Sequence, residues 1–170
     1  GFQMNTHCIG DSAARLIMKI YGEVLQTNND KRWRIEHAQL VHHDDINLFK
    51  RFNIIPSVQP THATSDMRWA VLRVGAERLK YGYAYEKLRS QNGMIALGTD
   101  FPIENISPIE TFYAAVARKN LDGKPKNGFQ IEDALSRLNA MKGMTIWAAT
   151  ANFEEKVKGS LEIGKLADFV

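Results

Sequence analysis

The stretch Met94-Ile-Ala-Leu-Gly-Thr-Asp-Phe-Pro-Ile-Glu104 constrains the fold more than any other part of the chain: a short apolar run and a glycine, stopped by an aspartate and a proline. An apolar run of this length between turn residues predicts a buried strand of a parallel sheet. Asp100 then stands at the carboxyl end of the strand, where α/β enzymes carry catalytic groups. Gly1-Phe-Gln-Met-Asn-Thr-His7 and Trp33-Arg-Ile-Glu-His37 repeat the layout, each ending in a histidine and running on into polar residues and a helical pattern. With parallel strands, His7, His37 and Asp100 share one rim, and two imidazoles with a carboxylate are a metal-binding set.

The segments between these strands read as helices and turns. Asp11-Ser12 offers a helix cap, and Leu16, Ile17, Ile20, Tyr21, Val24 and Leu25 recur at helical spacing, predicting an apolar stripe through about Gln26 that covers the first two strands. Asp44-Asp45 caps a shorter helix carrying Ile46, Phe49 and Phe52. Ile54 to Gln59 reads as a third strand despite Pro56, a residue tolerated at strand starts and irregularities. Thr61 to Tyr83, interrupted by Gly75 and Gly82, predicts one or two short helices over the rim, where barrel enzymes vary their specificity. A helix over 84–91 ends at Asn92-Gly93, and Pro108 opens another that carries Ile109, Phe112, Tyr113 and Val116. An exposed loop covers 122–128, two further helical segments cover 131–141 and 145–151, and Gly159 and Gly164 bracket a hairpin-like end.

Neutral imidazole suits Zn²⁺, which acidifies water near neutral pH. Asp100, beside such an ion, suits a proton shuttle that acts first as base and then as acid. His62 follows the third strand and is read equally as a contact for substrate or oxyanion and as a loop histidine. Asp66 and Arg78 lie in the segment over the rim, where they bind polar substrate groups or form surface ion pairs. Phe101, Trp69, Tyr83 and Tyr85 are candidates for an apolar pocket or for helix packing. His42 and His43 precede a helix start and are expected to face water. Glu36 points to the face opposite His37 and is expected in an ion pair or behind the site, supporting a ligand. Asp11 reads as a cap rather than a ligand.

Thr6-His-Cys-Ile-Gly-Asp11, Arg34-Ile-Glu-His-Ala-Gln39, Ser57-Val-Gln-Pro-Thr-His62 and Gly98-Thr-Asp-Phe-Pro102 together resemble the second half of the catalytic domain of metal-dependent amidohydrolases, of the subgroup called amidohydrolase family 3. The ending Gly159-Ser-Leu-Glu-Ile-Gly-Lys-Leu-Ala-Asp-Phe-Val170 is similar to that family's closing signature. The resemblance implies an α/β fold, the C-terminal half of a TIM-type (β/α)8 barrel of about four βα units with trailing helices. The half-barrel would occupy 1–120, the C-terminal helices 121–158, and the start of a return strand to a composite β-domain 159–170. It also implies His7, His37 and Asp100 as metal ligands, Asp100 as the shuttle, and one or two divalent ions, Zn²⁺ foremost. The parent would hydrolyse carbon-nitrogen bonds other than peptide bonds in a small amide-like substrate. Family members take further ligands from a His-x-His pair, which this chain lacks. Two alternatives stay open: a non-catalytic α/β ligand-binding or regulatory domain, and a metal-dependent isomerase or lyase on the same scaffold.

With 170 residues the chain falls short of the about 250 of a whole barrel of this type. A missing N-terminal half is therefore an expected partner, and the chain alone is expected to be inactive and to pair as a homodimer through open strand edges and the apolar layer exposed there. The net charge of +3 is dispersed among acids, which argues against nucleic acid as a partner. The one cysteine, Cys8, excludes an internal disulfide and a cysteine-rich zinc site, and reads as a packed residue. The stretch has no signal-peptide layout and no apolar run of spanning length, so no membrane partner is expected; with the parent's N-terminus outside it, the location is unknown and the cytoplasm is only the default.

Overall fold

The computed structural model describes residues 2–168. Four parallel strands, β1 (Asn5–Cys8), β2 (Arg34–His37), β3 (Ile55–Val58) and β4 (Ala96–Leu97), lie side by side in chain order. Their register pairs His7 with Glu36 and Glu36 with Ser57, which in turn pairs with Ala96. Helices α1 (Asp11–Val24), α2 (Ile46–Arg51), and the series α3 (Pro60–Asp66), α4 (Ala70–Val74), α5 (Ala76–Leu79) and α6 (Tyr85–Asn92) make the three crossovers. After β4 come α7 (Pro108–Ala117), a 3-10 turn at Ile131–Asp133, α8 (Arg137–Met144) and α9 (Ile146–Ala151). The crossover from β3 to β4 thus holds four helices, three of them before Tyr83.

Pro56 is accommodated by register. The Ile55 N–H bonds back to Trp33 O, so the nitrogen of Pro56 faces β4, whose pairing with β3 begins only at Ser57. A proline here removes no ladder hydrogen bond. Gly93, in the left-handed region at φ 80°, ends α6 where the sequence places its C-cap.

Only part of the predicted stripe of α1 enters the core: Tyr21 and Leu25 do, with Ile17 packed beside them. Ala14, Met18, Tyr21 and Leu25 are buried, whereas Leu16, Ile20 and Val24 are 59%, 47% and 55% exposed. A second flank of α1 is pinned to α2 at Gly22, where a Cβ would come within 2.7 Å of the Phe52 ring. Residues 16, 20 and 24 lie on the flank turned away from Gly22. The helix is apolar on two faces, and hydrophobic periodicity does not say which one meets the sheet. In α7 likewise, Thr111, Ala114 and Ala115 are buried while Ile109 is 75% exposed.

Neither expected cap on α1 and α2 forms. Gly10 is the N-cap residue of α1, and Asp11 lies inside the helix, where its carboxylate is taken by Arg78. Asp45 precedes α2 without a capping hydrogen bond and instead accepts from Arg15 Nε at 2.8 Å. The helix expected over 131–141 is divided by an extended Ala134. Residues 159–168 form turns and bends with no strand, and 169–170 lie outside the described residues, so the expected return strand is absent from the described part.

One face of the sheet is covered by helices and carries Ile35, Val58 and Leu97 into the core. The other carries polar Arg34, Glu36 and Ser57, and is partly covered by α9, where Ile55, Ala96 and Ala151 are buried together. Arg34 and Glu36 form an ion pair on it at 2.8 Å, and Arg34, Ser57 and Ala96 line a concavity of about 810 Å³ bounded by α8 and α9. The carbonyl of Ala151 accepts from Gln3 Nε2 and Arg34 Nη1, which puts the end of α9 below the amino ends of the strands. Cys8 is buried in the core, and burial pushes its thiol pKa up. Among the described residues no helix is long and apolar enough to cross a membrane.

Candidate functional site

The carboxyl ends of the strands turn sharply. His37, Ala38 and Asp100 all adopt the left-handed region, with φ 70°, 42° and 60°, a conformation uncommon outside glycine and concentrated at functional sites. These turns bring the imidazoles together. The rings of His7 and His37 meet edge to face with centroids 4.5 Å apart, and His62 lies tilted 5.7 Å from His37. His37, His62 and Asp100 each offer a ligand atom within 4.8 Å of the others. Three strands and the first turn of α3 thus supply one cluster.

His62 occupies the centre of a bridge that the sequence reading did not foresee. Its Nε2 lies 3.2 Å from Asp100 Oδ2 and its Nδ1 lies 3.1 Å from Glu104 Oε1, which also accepts from Ser65 Oγ at 2.6 Å. Glu104 carries no sequence signal of its own, because it lies in the turn begun by the Asp100 carbonyl. His7, by contrast, has no hydrogen-bond partner among the described residues, so both of its nitrogens remain available.

His37 has the features of a ligand. Burial first, and then the neighbouring His7, hold its imidazole below the ordinary pKa, while Asp100 and the Gln59 amide pull upward without reversing the shift. A neutral ring keeps the lone pair that a metal needs. Gln59 is close enough to act as a hydrogen-bond partner, yet His37 Nδ1 and Gln59 Oε1 are both buried without a partner of ordinary geometry. Pairing Nδ1–H with Oε1 would satisfy both atoms and leave Nε2 as the donor, the arrangement that fixes the tautomer of a metal-binding histidine. The donor set, two or three imidazoles and a carboxylate, fits a borderline divalent ion such as Zn²⁺.

The other candidates divide. Asp66 joins the rim, its Oδ2 accepting from Gln39 Nε2 and Tyr83 Oη, and burial raises its pKa. Arg78 is engaged by a two-point ion pair with Asp11 that ties α5 to the start of α1. Phe101 is exposed beside Asp100, whereas Tyr83 and Tyr85 are buried and serve packing. His42, His43 and Asp44 also bring ligand atoms within 4.8 Å, but His43 and Asp44 are exposed, and Arg15 Nη2 stands 3.3 Å from His42 Nδ1, a positive charge that opposes a cation.

A family model described as "Amidohydrolase family" matches residues 1–170. Protein LONG AFTER FAR-RED 3 of Arabidopsis thaliana is 37% identical over 173 residues, covering 100% of this chain and 29% of that protein. The putative amidohydrolase YtcJ of Bacillus subtilis (strain 168) is 30% identical over 169 residues, covering 99% of this chain and 32% of that protein. The crystal structure of an uncharacterized metal-dependent hydrolase from Pyrococcus horikoshii OT3 superposes with a TM-score of 0.84 at 32% identity, covering 98% of this chain and 33% of that one. The chain spans about a third of the length of the relatives it matches.

Proposed function

Because the chain belongs to the amidohydrolase family, we propose that it is part of the catalytic domain of a metal-dependent hydrolase that cleaves carbon-nitrogen bonds other than peptide bonds in small molecules. The observation that carries this reading is the meeting of His37, His62 and Asp100, each offering a ligand atom within 4.8 Å of the others, with the His7 ring 4.5 Å from that of His37. The four βα units form half of a (β/α)8 barrel, whose catalytic rim is the carboxyl end of the strands. The sequential parallel order, the concavity on the second face of the sheet and the apolar flank of α1 support that assignment.

His7, His37 and Asp100 would hold the ion. His62, with both nitrogens on carboxylates, orients Asp100 instead. When bound, a divalent ion of the Zn²⁺ type supplies Lewis-acid activation of water and of the substrate carbonyl. Asp100 takes the proton from the attacking water and returns it to the leaving nitrogen. Glu104, through His62, keeps the Asp100 carboxylate turned toward the rim.

Metal analysis of the full-length protein, with hydrolysis of a panel of N-acyl amines before and after chelation, tests the reading. Stoichiometric zinc or a similar ion and chelator-sensitive hydrolysis are expected, and a metal-free, fully folded protein would overturn it. Gln59→Leu in the same protein should weaken metal binding about 10- to 100-fold, measured by competition with a chromophoric chelator; unchanged affinity would remove Gln59 from the support of His37.

Expressed alone, the 170-residue chain leaves the β1 edge and the Leu16, Ile20 and Val24 flank open. It pairs with a second copy there. Light scattering across dilution should show dimer for the wild type and monomer for Ile20→Asp; a wild-type monomer would refute the pairing.

A further inference from the structure

Asp66 lies four residues after His62 on α3, so both side chains project from one face of that helix. Its carboxylate is fixed at one oxygen only. Oδ2 accepts from Gln39 Nε2 at 2.6 Å and from Tyr83 Oη at 2.8 Å, and Gln39 Nε2 also donates to Tyr83 Oη at 2.9 Å. Gln39 and Tyr83 are buried, and the Tyr83 N–H bonds to Gln39 O at 2.7 Å. Tyr83 stays in the left-handed region at φ 52° to make these contacts, an uncommon conformation for an aromatic residue. The remaining oxygen, Oδ1, has no hydrogen-bond partner among the described residues and is not sealed from solvent.

The neighbouring acids each have a basic side chain beside them. Asp100 and Glu104 share His62, and Asp11 is paired with Arg78. Asp66 has no cationic partner within ion-pair distance among the described residues. A carboxylate held in place by buried donors, half removed from water and lacking a counter-charge, attracts a cationic N–H group more strongly than a mobile surface acid does.

We propose that Asp66 is a specificity-determining residue that receives a positively charged nitrogen of the substrate, an ammonium or guanidinium, on its Oδ1. The proposal rests on the reading of this rim as a hydrolytic site and narrows its substrate class. A neutral isostere in the same position leaves the carboxylate without its countercharge, so discrimination by charge is the expected signature.

The test uses the full-length protein and a matched pair of non-hydrolysed probes, n-butylguanidinium and n-butylurea, with affinities measured by calorimetry. The wild type should bind the cation at least about tenfold more tightly. Asp66→Asn, which keeps a group able to accept from Gln39 and Tyr83, should lose that preference while keeping its melting temperature and metal content. Equal affinity of the two probes for the wild type, or an undiminished preference in Asp66→Asn, would overturn the proposal. Should Asp66→Asn fail to fold, a wild-type crystal soaked with n-butylguanidinium decides: nitrogen on Oδ1 supports the assignment, and a cation seated elsewhere rejects it. Absence of chelator-sensitive hydrolysis would remove the hydrolase reading and leave the binding preference standing.

Discussion

Asp100→Asn in the full-length protein is expected to lower turnover by about 10²- to 10⁴-fold, the usual contribution of a positioned acid-base group. Asparagine has nearly the same shape and keeps a polar contact with His62, now 3.2 Å from Asp100 Oδ2. It also keeps an oxygen able to face an ion. What it lacks is the capacity to take a proton from water and give it back to the leaving nitrogen. Metal content, measured on the same preparation, should therefore remain near the wild-type level because His7 and His37 are untouched. Near-normal turnover would dismiss Asp100 as the shuttle. Loss of metal in parallel with activity would make it chiefly a ligand.

His37→Ala is expected to weaken metal binding by more than about 100-fold. Partners that only orient a ligand change affinity about 10- to 100-fold, so loss of the ligand itself should exceed that range. Its position supports the size of the effect: the ring is packed edge-on against His7, and its Nδ1 is buried. His43→Ala is the internal control. His43 sits in the exposed cluster with His42 and Asp44, beside the Arg15 guanidinium, and its removal should leave tight binding intact. Titration of zinc into chelator-stripped full-length wild type and both variants measures this. Equal losses in the two variants would move the site to the surface cluster.

The alternation of short apolar runs with helical segments was readable along the chain, because each strand and helix is dictated by neighbours within a few residues. So was the rim location of His7, His37 and Asp100, since a residue at the carboxyl end of a parallel strand lies on the same side of the sheet whatever packs around it. The four motifs in their order were enough to indicate the family.

The rest depended on contacts between distant residues. Leu16, Ile20 and Val24 satisfy helical spacing as well as Ala14, Met18, Tyr21 and Leu25 do, and only the docking of Gly22 against Phe52 selects between the two faces. The bridge from Glu104 through His62 to Asp100 joins residues 42 and 38 positions apart, and the anchoring of Asp66 by Gln39 joins residues 27 apart. Local sequence fixes backbone direction through sterics and short-range hydrogen bonds. A side chain's partner is set by where separate elements come to rest, and that is decided by packing over the whole sheet.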